Sequence, residues 1–438
     1  MERNFTEKVT KHTTPTAGET LPDGVMLELI HPEGSAGKPK LLVWRAGEKT
    51  QVVDVFQSCD RLYLPASVNS STTDAILFPS QATGYGSAEE LFARIPELAK
   101  HYFSLPDRDL GALAYWAFAS WFPELPVPAT LGVTAPSPVE ALAFLRFVRC
   151  ICRRGLLLTE IEPAGFLAIP RQLKPTLLIH QTRLTRRMRA LLRAASGRGA
   201  LVTARGRFLD VRGAMAIFCN DLNLDPTEDL LRITVGPAEP NSAHAFDGRA
   251  EASIAAEMQA KLLKYRLENH KVVLGSTVDA PDFTAGVRDL ARTLAASVAS
   301  DADLAHGAIS LLCPIDEDAR ARWTTLPEFA IVVALLALLH ERKEPQLLVK
   351  ELTDFVNTAL RAGGEFVQFS PEEVGHRLAA LNLYRGRTAA GKVLRLTREL
   401  SVQVHGLKRV YGVKTSPANF PGCPDCEQPQ VTEEKQPM

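Results

Sequence analysis

The sequence has no excess of charge of either sign, because its 50 basic and 50 acidic residues cancel. Overall attraction to a nucleic acid or to an anionic membrane is therefore excluded as a basis for function. The sequence also lacks long apolar runs. The longest, residues 329–339, has about half the length that crosses a bilayer. This run predicts a buried helix, and no membrane association is expected.

Cysteine is scarce and follows no pairing pattern. The seven cysteines form an odd, scattered set, which is not a disulfide framework. The polar first twenty residues have no apolar signal-peptide core, so a cytoplasmic protein is expected. Cys423 and Cys426 form one C-x-x-C pair, which is half of a zinc-binding set. Because no second pair is visible, the sequence predicts neither a metal nor a cofactor, and these two cysteines stay as candidate ligands.

Apart from these absences, the composition is that of a globular protein of several domains. Apolar residues make up 46% of the 438 residues and charged residues 23%. Strands that alternate with helices predict a parallel sheet covered by helices. The predicted domains are a disordered N-terminus (1–20), a small β-domain (21–85), an α/β core (86–245), a helical region (246–345), helices plus a hairpin (346–413) and a disordered tail (414–438).

The stretch "GVTAPSPV" has the position of a phosphate-binding loop but little of its chemistry. A P-loop is a strand, a G-x-x-x-x-G-K-[ST] loop and a helix whose N-terminus faces the phosphates. Gly132 takes the place of the first glycine, whereas the second glycine, the lysine and the hydroxyl residue are replaced by Ser137, Pro138 and Val139. Proline has no backbone N–H to offer a phosphate. Ser137 and Glu140 instead predict a capping box, with which the helix satisfies its own N–H groups.

A second stretch, "KPTLLIHQTRL", has lost two acids. In P-loop ATPases an apolar strand of this kind ends in one acid that holds magnesium and a second that activates water. Here His180 and Gln181 follow the strand. The sequence therefore predicts no catalytic residues and neither tight binding nor hydrolysis of Mg-ATP. The remnant of the nucleotide site comprises Gly132, Ser137, Pro138, Val139, His180 and Gln181.

The order of these motifs resembles the AAA-like P-loop ATPases of bacterial replication and mobile-element type, with both nucleotide motifs degenerate. The resemblance covers roughly residues 90–413. It implies an α/β fold with a P-loop-type parallel sheet and helices on both faces, between a small β-domain and a helical region with a C-terminal winged helix. With its motifs degenerate, the chain is expected to be a non-hydrolysing scaffold (a pseudo-ATPase) that binds DNA or assembles with a replication or mobile-element partner. That partner could be a second copy or an active ATPase relative. A weak ATPase or helicase-type motor and a winged-helix transcription regulator are the alternatives.

Residues 171–213 are strongly basic, with ten arginines and one lysine against a single acid, Asp210. A predicted helix places one group of arginines on its outer side and apolar residues inward. A glycine-framed hairpin follows the helix. Arginine this dense suits contact with nucleic-acid phosphates, and a docking surface for a protein partner or a solvated face are the alternatives. The outer arginines are Arg183, Arg186 and Arg187, the inward residues are Met188, Leu191 and Leu192, and the hairpin carries Arg198, Arg205 and Arg207.

The region 346–413 resembles a winged helix. Ser370 and Pro371 predict the start of a helix with a buried stripe of Val374, Leu378 and Leu381. The stretch "YRGRTAAGKVLRLT" predicts two strands around a turn, which is the wing. Basic residues of the helix and wing are candidate DNA ligands, although winged helices also bind proteins. These residues are Arg377, Arg385, Arg387 and Lys392.

Overall fold

The structure is a computed structural model that describes residues 12–32, 38–66, 70–197, 201–204, 206–220, 231–236, 246–278, 283–324, 326–341, 344–362, 367–383, 386–388, 391–413 and 423. The chain forms two compact units. The first comprises Met1–Asp282 and Gly286–Cys313, and the second comprises Phe283–Ala285 and Pro314–Met438. Among the described helices, none is by itself long and apolar enough to cross a membrane, and one consecutive pair, Ala302–Arg322 with Pro327–Glu341, passes the test of length and composition jointly.

The described strands are β1 (His12–Thr16), β2 (Gly18–Thr20), β3 (Met26–Ile30), β4 (Lys40–Trp44), β5 (Gln51–Val53), β6 (Phe56–Ser58), β7 (Arg61–Pro65), β8 (Thr130–Thr134), β9 (Gly155–Thr159), β10 (Thr176–His180), β11 (Leu201–Ala204), β12 (Arg207–Asp210), β13 (Met215–Phe218), β14 (Leu231–Thr234), β15 (Gln346–Leu348), β16 (Gly386–Thr388) and β17 (Gly391–Arg395). The described helices are α1 (Ser70–Ala75), α2 (Ala88–Tyr102), α3 (Asp107–Ser120), α4 (Pro138–Ile151), α5 (Pro163–Ala168), α6 (Arg186–Ser196), α7 (Gly248–Gly275), α8 (Ala285–Ser297), α9 (Ala302–Thr324), α10 (Pro327–Glu341), α11 (Val349–Ala362), α12 (Pro371–Ala380) and α13 (Arg398–Val410).

The N-terminal β region consists of two small sheets that pack on the α/β core. Strands β2-β3-β4-β5 form an antiparallel sheet, and β1-β7-β6 form a second sheet. Leu27 and Leu29 of β3 belong to the same buried cluster as Leu177 and Ile179 of β10. The β region therefore shares its core with the central sheet.

The prediction of disorder for residues 1–20 is wrong from His12 onward. Strand β1 pairs in parallel with β7, and β2 pairs antiparallel with β3. Their main-chain hydrogen bonds do not depend on side-chain polarity. The polar composition of "HTTPT" is therefore compatible with a strand at the edge of a sheet. Residues 1–11 lie outside the described part of the chain.

The centre of the first unit is a five-stranded sheet in the order β14-β8-β13-β10-β9, with every neighbouring pair parallel. Residues of β8, β10 and β13 are almost all buried, as expected for a parallel sheet covered by helices. The predicted α/β class, with a parallel sheet covered by helices, is confirmed. Strand β13 lies between β8 and β10.

The predicted helical region, 246–345, divides between the two units. Helix α7 packs along α4, and Gln259 Nε2 donates to the carbonyls of Cys150 and Cys152 at 2.9 and 2.7 Å. Helix α10 instead packs against α11 and α13 in the second unit. Apolar periodicity identifies each helix but does not specify which core covers its apolar face.

The second unit contains the predicted helices and hairpin. Helices α10 to α13 surround a three-stranded antiparallel sheet in the order β15-β17-β16. Helix α12 begins with a complete capping box, because Ser370 Oγ accepts from Glu373 N and Glu373 Oε2 accepts from Ser370 N. Val374 and Leu378 are fully buried, as the sequence predicts.

Candidate functional site

The connection from β8 to α4 is too short for a phosphate-binding loop. Gly132, predicted as the first glycine of that loop, lies inside β8, where it pairs with Ile217 on one side and Arg232 on the other. Only residues 135–137 join the strand to α4. No glycine-rich turn is therefore present between the strand and the helix.

The N-terminus of α4 is occupied by its own contacts. Ser137 Oγ accepts from Glu140 N at 3.4 Å, and the Ser137 carbonyl accepts from Ala141 N at 3.1 Å. Pro138, at the first helical position, has no N–H. Val139, in the place of the hydroxyl residue, has a side chain that is 76% exposed. Few backbone donors remain here for an anion.

His180 closes the carboxyl edge of the sheet. Its ring stacks on Phe218, its register partner in β13, with a centroid distance of 5.2 Å and an interplanar angle of 15°. Its Nε2 donates to the Pro138 carbonyl at 2.9 Å. The side chain therefore spans from the end of β10 over β13 to α4. Parallel sheets usually bind ligands at the carboxyl ends of their strands, at the point where the connections leave neighbouring strands in opposite directions.

Gln181 continues the sheet instead of offering a base. Its N–H donates to the Phe218 carbonyl at 3.0 Å, and its side chain is buried. Its Oε1 has no hydrogen-bond partner among the described residues. A carboxamide does not ionise near neutral pH, and an imidazole does not replace the oxygen ligands that magnesium requires. The remnant residues are thus brought together without the groups that phosphoryl transfer uses.

Helix α6 presents Arg186 and Arg187 on its outer side, as the sequence predicts, whereas Arg183 lies before the helix, which begins at Arg186. Thr185 Oγ1 caps it by accepting from Met188 N at 3.2 Å, and Met188, Leu191 and Leu192 are buried. Within the described part of the chain, no acidic side chain pairs with the exposed Arg183, Arg186 or Arg187.

The predicted hairpin is formed by β11 and β12, with Gly206 in a left-handed conformation (φ 72°) at its turn. Val202 and Leu209 lie on one face and pack against the core, while Leu201 and Phe208 lie on the other and are 59% and 74% exposed. Arg207 is exposed, and Arg198 and Arg205 lie outside the described residues. Phe208 was not among the predicted residues, although alternation along β12 places it opposite Leu209. The term "arginine surface" is used below for Arg183, Arg186, Arg187 and Arg207.

The candidate ligands in the second unit differ in their surroundings. Arg387 and Lys392 are exposed and directly opposite in the hairpin of β16 and β17. Arg377 instead pairs with Glu328 at 2.5 Å and lies 5.3 Å from the Phe369 ring centroid. Arg385 lies outside the described residues.

The C-x-x-C pair is described only in part. Cys423 Sγ lies 3.5 Å from His405 Nε2, and Cys426 lies outside the described residues.

A buried ionic network joins the β region to the core, and the sequence analysis missed it. Glu28 of β3, 2% exposed, bonds to Arg153, Arg154 and Arg266 at 2.7–3.0 Å. Arg266 also pairs with Glu124 at 2.7 Å. Burial raises the pKa of Glu28, but the three arginines together outweigh burial and hold that pKa far below its usual value. Glu124, likewise desolvated, has its pKa lowered to about 2 by Arg266.

A cavity in the first unit lies at the opposite edge of the sheet. It has a volume of about 370 Å³, and residues near the amino ends of β8, β10 and β13 form part of its wall. Burial lowers the pKa of Arg171 in its wall to about 10. Asp210 and Arg212, also in the wall, pair with each other at 2.6 Å. The cavity is therefore distinct from the remnant nucleotide site.

No protein-family model matches the chain, and no curated protein matches it. Among solved structures, the apo structure of the NrS-1 C-terminal region has a TM-score of 0.30 and 8% identity, covering 84% of this chain and 95% of that one. The structure of Drosophila ORC bound to DNA has a TM-score of 0.19 and 14% identity, covering 75% of this chain and 95% of that one. These are weak similarities of fold.

Proposed function

We propose that this protein is a non-hydrolysing, P-loop-like scaffold that binds DNA through its arginine surface. The observation that carries the proposal is a set of exposed arginines that have no acidic partner among the described residues, on elements whose other faces are buried. The P-loop-like and winged-helix interpretations come from the sequence resemblance and are part of this proposal.

The carboxyl edge of the sheet, which His180 closes, supports the proposal that the protein does not hydrolyse ATP. Phosphoryl transfer requires a cradle for the phosphates, a magnesium ligand and a group that orients water. Gly132 is engaged in the sheet on both sides, and the His180 ring bonds to the Pro138 carbonyl. An incoming phosphate would have to break that bond without gaining a lysine.

The exposed arginines that have no acidic partner among the described residues support the proposed binding of nucleic acid. Exposed like charges close together in sequence repel each other through solvent and are retained at a small cost in stability. A polyanion removes this repulsion, and the counterions that it releases favour binding. Arg186 and Arg187 lie in the first turn of α6, where the positive end of the helix dipole repels their positive charges. An anionic partner would offset both effects.

The exposed Phe208 favours a strand with unpaired bases over a closed duplex. Its ring is 74% exposed near the end of the hairpin, and Arg207 points to the other face because successive residues of a strand alternate. Exposed aromatic rings form the stacking platforms of single-strand binding proteins. Base pairs in a duplex do not offer their faces to such a ring.

The hairpin of the second unit provides a second candidate contact. Arg387 and Lys392 face each other directly across β16 and β17. Two cationic side chains opposite each other can both donate to one phosphate. We assign this hairpin to the DNA backbone, as the winged-helix resemblance implies.

The test is binding of single-stranded and duplex DNA over a range of salt concentrations. Arg186→Glu with Arg187→Glu should weaken binding and lower the slope of log affinity against log salt by roughly two. Arg45→Glu with Arg61→Glu, exposed in the β region, is the control because it changes the net charge equally. Equal loss in both variants, or in neither, would contradict a local site.

ATP provides a second, independent test. Calorimetry with Mg-ATP should show no micromolar binding, and turnover should stay at background. Hydrolysis that Gly132→Val abolishes would instead establish the weak ATPase motor. The DNA experiment is unaffected by either result, because α6 and the hairpin do not contribute to the remnant site.

A further inference from the structure

Three metal-ligating side chains converge in the second unit. His340 lies in the last turn of α10, His405 in α13, and Cys423 beyond α13. Their candidate donor atoms all lie within 4.8 Å of one another. The two helices pack together through a buried apolar cluster that includes Leu336 and Val404. The two imidazoles are therefore carried by elements whose relative position is fixed by a core.

Both histidines are oriented as metal ligands are. His340 Nδ1 donates to the Leu336 carbonyl at 2.6 Å, and His405 Nδ1 donates to the Ser401 carbonyl at 2.7 Å. A carbonyl only accepts, so the proton of each neutral imidazole lies on Nδ1. Each Nε2 then carries a lone pair. Backbone hydrogen bonds of this kind fix the tautomer and the ring orientation in metal sites.

The measured separation fits a shared ion. Cys423 Sγ lies 3.5 Å from His405 Nε2. A tetrahedral zinc ion with Zn–S near 2.3 Å and Zn–N near 2.0 Å places these atoms about 3.5 Å apart. The His340 and His405 rings lie 5.2 Å apart at 71°, so they approach this point from different directions. The candidate donor atom of His340 lies within 4.8 Å of both other donors.

The donor set selects the class of ion. Two imidazole nitrogens and a thiolate favour zinc and disfavour magnesium and calcium, which require oxygen ligands. A thiol–imidazole hydrogen bond alone would account for Cys423 and His405 but not for His340 as a third donor. Cys426 follows Cys423 at the spacing of paired zinc ligands. It lies outside the described residues, so the three described donors carry the inference.

We propose that His340, His405 and Cys423 form a structural zinc site in the second unit. The ion joins the segment after α13 to α10 and α13. It supplies a long-range link from Cys423 to helices whose packing belongs to the apolar cluster of the second unit. The site is separate from the DNA-binding function proposed above and does not depend on it.

The experiment measures zinc and cobalt binding by the full chain. After dialysis, mass spectrometry should find one zinc per chain. Substitution with Co²⁺ should give the near-ultraviolet absorption of a thiolate–cobalt bond, and Cys423→Ser should abolish that band. His340→Ala and His405→Ala should each weaken zinc binding by roughly 100-fold. Zinc should raise the melting temperature of the parent more than that of Cys423→Ser.

Matched controls separate this site from adventitious metal. Cys59→Ser removes an exposed cysteine of the β region, and His376→Ala removes an exposed histidine of α12 in the same unit. Both should bind zinc as the parent does. Far-ultraviolet circular dichroism establishes that each variant is folded. A parent chain that binds no zinc at equimolar concentration, or a cobalt band that persists in Cys423→Ser, would overturn the proposal.

Discussion

At the scale of single residues, Glu28 has the largest expected effect on stability. Its carboxylate compensates Arg153, Arg154 and Arg266 in the interior. Glu28→Gln keeps the size of the side chain but leaves buried cations uncompensated, so the free energy of unfolding should fall by about 3–5 kcal/mol. Urea denaturation measures the change. Glu124→Gln is the control, because the Glu124 side chain is 27% exposed and its loss should cost less. Equal stability of Glu28→Gln and the parent would contradict this account.

The same network predicts acid sensitivity. Burial opposes ionisation of Glu28 and Glu124, but neighbouring arginines outweigh it and lower both pKa values, that of Glu124 to about 2. The folded-state values lie below the unfolded value of about 4.3. The stabilisation is therefore complete above about pH 4.5 and is lost as the pH falls toward about 2. The free energy of unfolding should decrease over this range, with a shallower decrease in Glu28→Gln. Parallel curves of unfolding free energy against pH for both proteins would exclude Glu28 as a source of the acid sensitivity.

At the scale of elements, the β11–β12 hairpin is expected to act through Phe208. Phe208→Ala should reduce affinity for single-stranded DNA by about 1–3 kcal/mol, the value of one stacked base, and leave duplex affinity nearly unchanged. Leu201→Ala is the matched control, because Leu201 is an exposed apolar residue on the same face. Phe208→Tyr should keep the affinity. A loss as large in Leu201→Ala would indicate a general apolar contact instead of stacking.

Elements defined by local patterns could be predicted, whereas contacts between distant residues could not. The apolar stripe of α6 and the cap of α12 depend on residues three or four positions apart. Glu28 bonds to Arg153, 125 positions away, and no spacing rule connects them. His340, His405 and Cys423 are likewise separated in sequence and meet only through the packing of α10 on α13. For the same reason Cys423 and Cys426 predicted only half of a metal-binding set.

At the scale of the whole molecule, the domain boundaries illustrate the same limit. Composition distinguishes a β-rich start from a helical middle, and the structure contains both. It does not show that β3 and β10 share one core or that the helices after residue 245 divide between two units. Such divisions depend on which apolar faces meet. A sequence reveals that a face exists but not its partner.

The last prediction concerns the two units together. The arginine surface belongs to the first unit, and Arg387 with Lys392 belongs to the second. The net charge of the chain is zero, so binding must come from such local surfaces. Arg387→Ala with Lys392→Ala should weaken DNA binding and lower the salt slope by roughly two, one for each lost phosphate contact.

Combining this pair with Arg186→Glu and Arg187→Glu measures whether the surfaces act independently. Independent sites give losses of binding free energy that add to within about 0.5 kcal/mol. Titrations of the parent, the two double variants and the quadruple variant at several salt concentrations form the complete cycle. A quadruple variant no weaker than either double variant would mean that the two surfaces are coupled and contribute only when both are intact. If all four proteins bind single-stranded and duplex DNA alike, the basic surfaces instead serve a protein partner.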